Sequence, residues 1–253
     1  MNSILIVAIL FISAFVSGIA VFFVRRENTN MLKLILSFSG AYLFSITVLH
    51  LIPHVYHTHS SASETIGLFV LLGFIFQLVL EQFSHGIEHG HIHHSDKSVK
   101  GILPWGIMIS LCLHALLEGM PLASHHQHEL VFGIAVHHIP AAFALGSLLL
   151  HSAASRRSII ILLAIFAFMT PLGFLISKGI SSGGMGGGIE QYFDRIMAVV
   201  IGIFLHISTT ILFESGTADH HQFNRKKMIA VALGIAISLL NFMFDSHSHT
   251  HAH

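Results

Sequence analysis

An all-α polytopic membrane protein with eight transmembrane helices is what this sequence predicts, on three observations. Only 9% of its 253 residues are charged while 53% are hydrophobic, and a soluble domain carries about 25% charge. A helix needs roughly 20 apolar residues to cross the hydrocarbon core, and eight stretches reach or approach that length: about 2–24, 31–54, 64–84, 101–122, 128–151, 157–178, 189–213 and 227–244. Their lysines and arginines collect in alternate loops. The stretches are continuously apolar and rich in Phe, Leu and Ile. That favours helices over the alternating strands of a membrane barrel.

Stretch by stretch, the same reading holds. The first stretch has no basic segment before it, and Arg25 and Arg26 follow it; it is expected to be a retained helix and not a signal peptide. Arg25, Arg26 and Lys33 flank the first connection, Lys97 and Lys100 the third, Arg156 and Arg157 the fifth, and Arg225, Lys226 and Lys227 the seventh. Only Lys178 and Arg195 fall elsewhere. By the positive-inside rule, this alternation places both termini outside and the odd-numbered connections in the cytoplasm. Eight spans use most of the chain, so residues 1–253 are expected to form one transmembrane transporter domain.

Composition excludes several functions. Twelve basic and twelve acidic side chains give zero formal net charge, which leaves no basic field for nucleic acid. Cys112 is the single cysteine, so there is no intramolecular disulfide and no CxxC motif. The Gly-rich run 181–188 (SSGGMGGG) lacks the lysine and spacing of a phosphate loop. The anomaly is 23 histidines. Five of them, His85, His89, His91, His93 and His94, lie in a His-rich loop over 85–100, and more end the chain in a His-rich tail over 245–253. Tracts of this kind chelate metals.

Ionisable residues at membrane depth are costly and mark function by default. Helix four reads LCLHALLEGMPL, with His114 and Glu118 four apart and therefore on one face. An imidazole and a carboxylate so placed suit a divalent cation; the alternative is a hydrogen-bonded pair joining two helices. Helix five reads GIAVHHIPAAFALG, and Pro140 is expected to free backbone oxygens near His137 and His138. Those two histidines point about 100° apart, so one of them is expected to share the site. His50 and His54 flank Pro53 in helix two, toward the outer face, and continue into His57 and His59; they suggest an access path, or interfacial polar filler. Glu81 closes helix three just before His85, and could hand on a cation or pair with a neighbour. His206 adds an imidazole in helix seven. Imidazole with carboxylate favours Zn(II), with Fe(II), Mn(II), Co(II) and Cd(II) as relatives, whereas Mg(II) and Ca(II) prefer all-oxygen sites.

These motifs resemble those of the ZIP (Zrt/Irt-like) divalent metal transporters over essentially the whole chain. The resemblance rests on His50-Leu51-Ile52-Pro53-His54 in helix two, His114-Ala115 followed by Glu118-Gly119 in helix four, and His137-His138-Ile139-Pro140 in helix five. It implies a ZIP-like bundle and a primary metal site at His114, Glu118 and His137. His138, His50, His54, Glu81 and His206 are secondary metal or pathway residues. Departures at Ala115, His138, Ala141 and about Ile211 imply that a second metal site is dismantled and that one cation binds.

The expected function is transport of a divalent transition-metal cation, Zn(II) foremost, into the cytoplasm through a site formed by helices four and five. The metal is then cargo and not a cofactor, and its other partners are the lipid bilayer and a homodimer mate. The host would be a bacterial inner membrane. Two alternatives stand beside this: a non-transporting membrane metal sensor, and a membrane-embedded zinc hydrolase, for which the sequence offers no HExxH.

Overall fold

The computed structural model describes residues 2–23, 29–58, 63–84, 105–123, 127–181, 193–214 and 221–248. Among these are nine α-helices: α1 (Ser3–Ala20), α2 (Thr29–Ile46), α3 (Ile52–Thr58), α4 (Ser63–Ser84), α5 (Trp105–Gly119), α6 (Gln127–Leu150), α7 (Arg156–Ser181), α8 (Phe193–Glu214) and α9 (His221–Ser248). Eight spans are long and apolar enough to cross a bilayer, so the chain is an all-α integral membrane protein. The His-rich loop residues His85 to His94, His59, His125, His126, His220, most of the Gly-rich run and the tail beyond Ser248 lie outside the described residues. The helix α9 takes in residues 245–248, which the sequence assigned to the tail.

Nine helices for eight spans is a consequence of Pro53. It lacks an N–H, and its ring clashes with the carbonyl four residues back. The second span responds with a π-helical turn over Thr47–Leu51. There the Ile52 amide reaches back five residues to the Thr47 carbonyl, and the helix resumes as α3. Pro140, by contrast, does not interrupt its helix: α6 is continuous through it. Ser17 of α1 donates a hydrogen bond to the Ile139 carbonyl at 2.5 Å.

The most extensive contacts join α4 to α8, α2 to α9, α1 to α6 and α5 to α7. Exchanging α1 with α7, α2 with α8, α4 with α9 and α5 with α6 maps this set of pairs onto itself, as an inverted repeat does. Between lipid-exposed helices there is no hydrophobic driving force, so small residues set the closest approaches. At the α4–α8 crossing, a Cβ on Gly73 would lie 1.9 Å from the Val199 carbonyl oxygen, and one on Gly202 would lie 2.0 Å from that of Val70. The α5–α7 crossing repeats the device: Gly119 sits on the Thr170 carbonyl and Gly173 on that of Leu116.

Apolar side chains of α1, α5, α6 and α7 make one buried cluster, around Leu111, Leu145, Leu163 and Phe166. A second, around Tyr42, Leu43, Leu130 and Phe204, joins α2, α6 and α8 with the start of α1. The span of α6 is the most enclosed, 78% buried against 17% for that of α9. The span of α7 is as enclosed as that of α5, so both belong to the interior.

The glycine crossings give a stability test. Gly73→Ala forces a methyl group into the Val199 backbone and is expected to cost about 1–3 kcal/mol, lowering the thermal midpoint in detergent. Gly106→Ala, where a Cβ would meet nothing within 4 Å, is expected to leave that midpoint unchanged or raise it.

Candidate metal centre

Three ligating atoms converge in the interior. His114 and Glu118 lie one turn apart on α5, and His137 approaches from α6; all three residues are buried, Glu118 and His137 at 0% exposure. Glu118 Oε1 stands 3.2 Å from His114 Nε2 and 3.7 Å from His137 Nε2. The ligating atoms of the trio fall within 4.8 Å of one another. A tetrahedral ion with bonds near 2.1 Å sets its ligands about 3.4 Å apart, so the donors need only a small contraction to share one cation.

The helix assignment from sequence is corrected here. These residues were expected on helices four and five; counted along the chain, the trio lies between α5 and α6. The cause is the π-helical turn before Pro53, which divides the second span into α2 and α3. Of the two adjacent histidines, His137 alone joins the trio, as expected; His138 also reaches Glu118, but at the other carboxylate oxygen. His137 faces Oε1, and His138 Nε2 donates to Oε2 at 2.5 Å.

The supports around the trio were largely missed from the sequence. His114 Nδ1 donates to Gln77 Oε1 of α4 at 3.2 Å, with both groups buried. In the neutral ring that leaves a lone pair at Nε2, the tautomer a metal ligand requires. Nε2 and Glu118 Oε1 then face each other as acceptors, and a proton or a cation must stand between them. Among the described residues Glu118 Oε1 faces only the imidazoles of His114 and His137, as a carboxylate oxygen open to a cation would. On the far side, Thr170 Oγ1 of α7 lies 3.4 Å from His138 Nδ1, so its hydroxyl can donate there while Nε2–H holds Glu118. The signal for Gln77 was present in the sequence: it is a lone amide in the run FIFQLVLE, one turn before Glu81.

The remaining candidates form separate sites. His50, in the π-helical turn, has Nε2 3.6 Å from Glu129 Oε2 in the first turn of α6; Glu129 was not singled out from sequence. His54, one turn on in α3, is half-buried, and nothing is described of the His57 side chain. Glu81 pairs with His206 across α4 and α8 at 2.5 Å. Ala115 and Ala141 are buried and apolar, and Ile211 packs on Gly40. Among the described residues, His114, Glu118 and His137 are the one trio of such ligands.

The sequence model of the ZIP zinc transporters matches residues 2–104 and 88–241. The chain belongs to the ZIP zinc transporter family. Relatives include zinc transporter ZIP9 of Xenopus tropicalis, 28% identical over 213 residues that cover 76% of this chain and 69% of that protein. The ZIP9 of Micropogonias undulatus is 26% identical, over 73% and 66%. Protein zntD of Dictyostelium discoideum is 26% identical over 133 residues, 48% of this chain and 19% of its own.

ZIP membership makes this a transporter and not an enzyme, which removes the zinc hydrolase alternative. With the His/Glu trio, it supports Zn(II) or a related divalent cation as the ion handled, within a lipid bilayer. Two imidazoles and a carboxylate suit borderline first-row cations and leave a fourth position for water or an incoming ligand.

Loss of a group that orients a ligating histidine weakens metal affinity about 10–100-fold. In reconstituted vesicles, Gln77→Leu is therefore expected to raise the half-saturating Zn(II) concentration by that factor. Gln77→Glu, which keeps an acceptor for His114 Nδ1, is expected to hold it near the wild-type value.

Proposed function

We propose that this chain carries a divalent first-row cation, with Zn(II) preferred, across its membrane by way of the α5–α6 centre. The observation that carries the reading is the fully buried Glu118 carboxylate, facing His114 and His137 at 3.2 and 3.7 Å. An ionised carboxylate at membrane depth costs about 2.5–3.5 kcal/mol on insertion scales, and a cation held by Glu118 offsets that cost.

In this reading one cation binds at a time through His114, Glu118 and His137, with His138 holding the second carboxylate oxygen. His50 with Glu129, and His54 beyond them, line the path between the centre and one membrane face. The α1–α6 and α5–α7 pairs form one group, the α2–α9 and α4–α8 pairs another, and displacement of one group against the other would change the face to which the centre opens. Ten of the twelve lysines and arginines in alternate connections support an orientation with both termini on the non-cytoplasmic face. The same reading takes a bacterial inner membrane as host and allows a homodimer, with residues 1–253 as one transporter domain. It gives the histidines of 85–100 and of the tail a chelating role.

Uptake of labelled Zn(II) into proteoliposomes tests it, with empty liposomes and the H114A/E118A variant alongside. Saturable flux that the double substitution abolishes is the expected result, with competition by Fe(II), Mn(II) and Cd(II) ranking the substrates. Correctly folded protein that binds Zn(II) yet gives no flux above empty liposomes would sink the proposal and favour a metal sensor.

A further inference from the structure

Two of the imidazoles around Glu118, those of His114 and His138, have their Nδ1 atoms met by side chains from helices that supply no ligand. The two partners differ in polarity. At His114 the partner is an amide oxygen, Gln77 Oε1 of α4 at 3.2 Å, which can only accept. At His138 it is a hydroxyl, Thr170 Oγ1 of α7 at 3.4 Å, which can donate. A neutral imidazole carries one N–H hydrogen, so the bond made at one nitrogen decides what the other offers. An acceptor at Nδ1 takes that hydrogen and leaves Nε2 with a lone pair. A donor at Nδ1 leaves the hydrogen on Nε2. His138 Nε2 meets Glu118 Oε2 at 2.5 Å, a hydrogen bond with no room for an ion, which agrees with the second case.

Thr170 is fully buried, and its hydroxyl behaves unlike others in the bundle. Ser45 donates back to the Ala41 carbonyl of its own helix, Thr47 to that of Leu43, Ser208 to that of Phe204 and Thr210 to that of His206. Thr170 turns across to α6 instead. It does so although Pro171, which follows it, brings no N–H to the Ala167 carbonyl of the same helix. The backbone is fixed where this contact needs it. A Cβ on Gly119 would lie 2.1 Å from the Thr170 carbonyl oxygen, so α5 and α7 touch at this residue. One turn back on α7, the Phe166 ring packs against that of His138 with centroids 5.8 Å apart. One helix thus supplies His138 with both a wall and a hydrogen-bond donor.

We propose that Thr170 is a positioning residue that keeps His138 from ligating the cation, and so holds the centre to three protein ligands. With an acceptor at Nδ1 in place of the hydroxyl, the ring would carry its hydrogen there and turn a lone pair on Nε2 toward Glu118, giving a fourth ligand. Four protein ligands make closed, structural zinc sites, whereas three leave a position open for exchange. A transport site must release what it binds. The hydroxyl therefore favours release over affinity, and the inference rests on the cation-carrying function proposed above.

The test is solid-state NMR of the histidine ring nitrogens in the full-length protein in lipid, with and without Zn(II). Nitrogen shifts separate protonated, bare and metal-bound atoms, and single His→Gln substitutions assign the signals. In the wild type with Zn(II), His114 and His137 are expected to be metal-bound, with His138 protonated at Nε2 and bare at Nδ1. Thr170→Asp, which presents an acceptor to Nδ1, is expected to make His138 metal-bound at Nε2. In proteoliposomes the same substitution is expected to lower the half-saturating Zn(II) concentration about tenfold and to lower the maximal rate with it. Thr170→Val, neutral and of the same shape, is expected to move part of the His138 population the same way, whereas Thr170→Ser, which keeps the donor, retains the wild-type pattern. His138 metal-bound in the wild type would overturn the inference and leave the proposed function standing. So would His138 still protonated at Nε2 in each of Thr170→Asp and Thr170→Val that binds Zn(II) at His114 and His137. No Zn(II)-dependent shift at His114 and His137 in the wild type would overturn the inference and the proposed function together.

Discussion

The structure turns on one carboxylate. Glu118 is completely buried in a membrane-spanning helix, and three imidazoles surround it: His114 from its own helix, His137 and His138 from the next. An ionised group in such surroundings is tolerable only if it is paired and hydrogen-bonded. Its two oxygens are used differently. One is held by His138, which Thr170 backs from α7; the other faces two histidines across a gap of ligand-to-ligand dimensions. A site fixed on one edge and open on the other can exchange a cation without rebuilding itself.

Holding four helices, α4 to α7, around that carboxylate requires close and repeatable packing. In lipid this comes from small residues and not from apolar side chains, which lipid solvates as well as protein does. Reciprocal glycines bring α4 onto α8 and α5 onto α7 with backbone atoms in contact. These crossings put Gln77 of α4 beside His114 and Thr170 of α7 beside His138, so the ligands are oriented by helices that contribute no ligand of their own.

Much of this was legible in the sequence. The eight spans follow from apolar length, and His114 with Glu118 follows from helical spacing; the choice of His137 over His138 came from the resemblance to the ZIP transporters. The helix count was not legible, because proline has two outcomes. At Pro53 the chain inserts a π-helical turn and divides the span; at Pro140 the helix runs on. Which outcome prevails is not written in the proline itself. Of two adjacent histidines one joins the trio, as angular separation on a helix requires; that the other would hold the second carboxylate oxygen was not legible, because helical spacing ignores that a carboxylate presents two oxygens.

By itself, the sequence determined that this is an integral membrane protein of eight apolar spans whose ionisable residues are concentrated on a few helices. Burial of apolar length and the cost of isolated charge are local properties, readable along one chain. Only the tertiary structure decided the partnerships: His114 with Gln77, His138 with both Glu118 and Thr170, His50 with Glu129, and Glu81 with His206. Each joins residues from different helices. Their distances are set by where glycine lets two backbones touch, and no spacing within one helix encodes that.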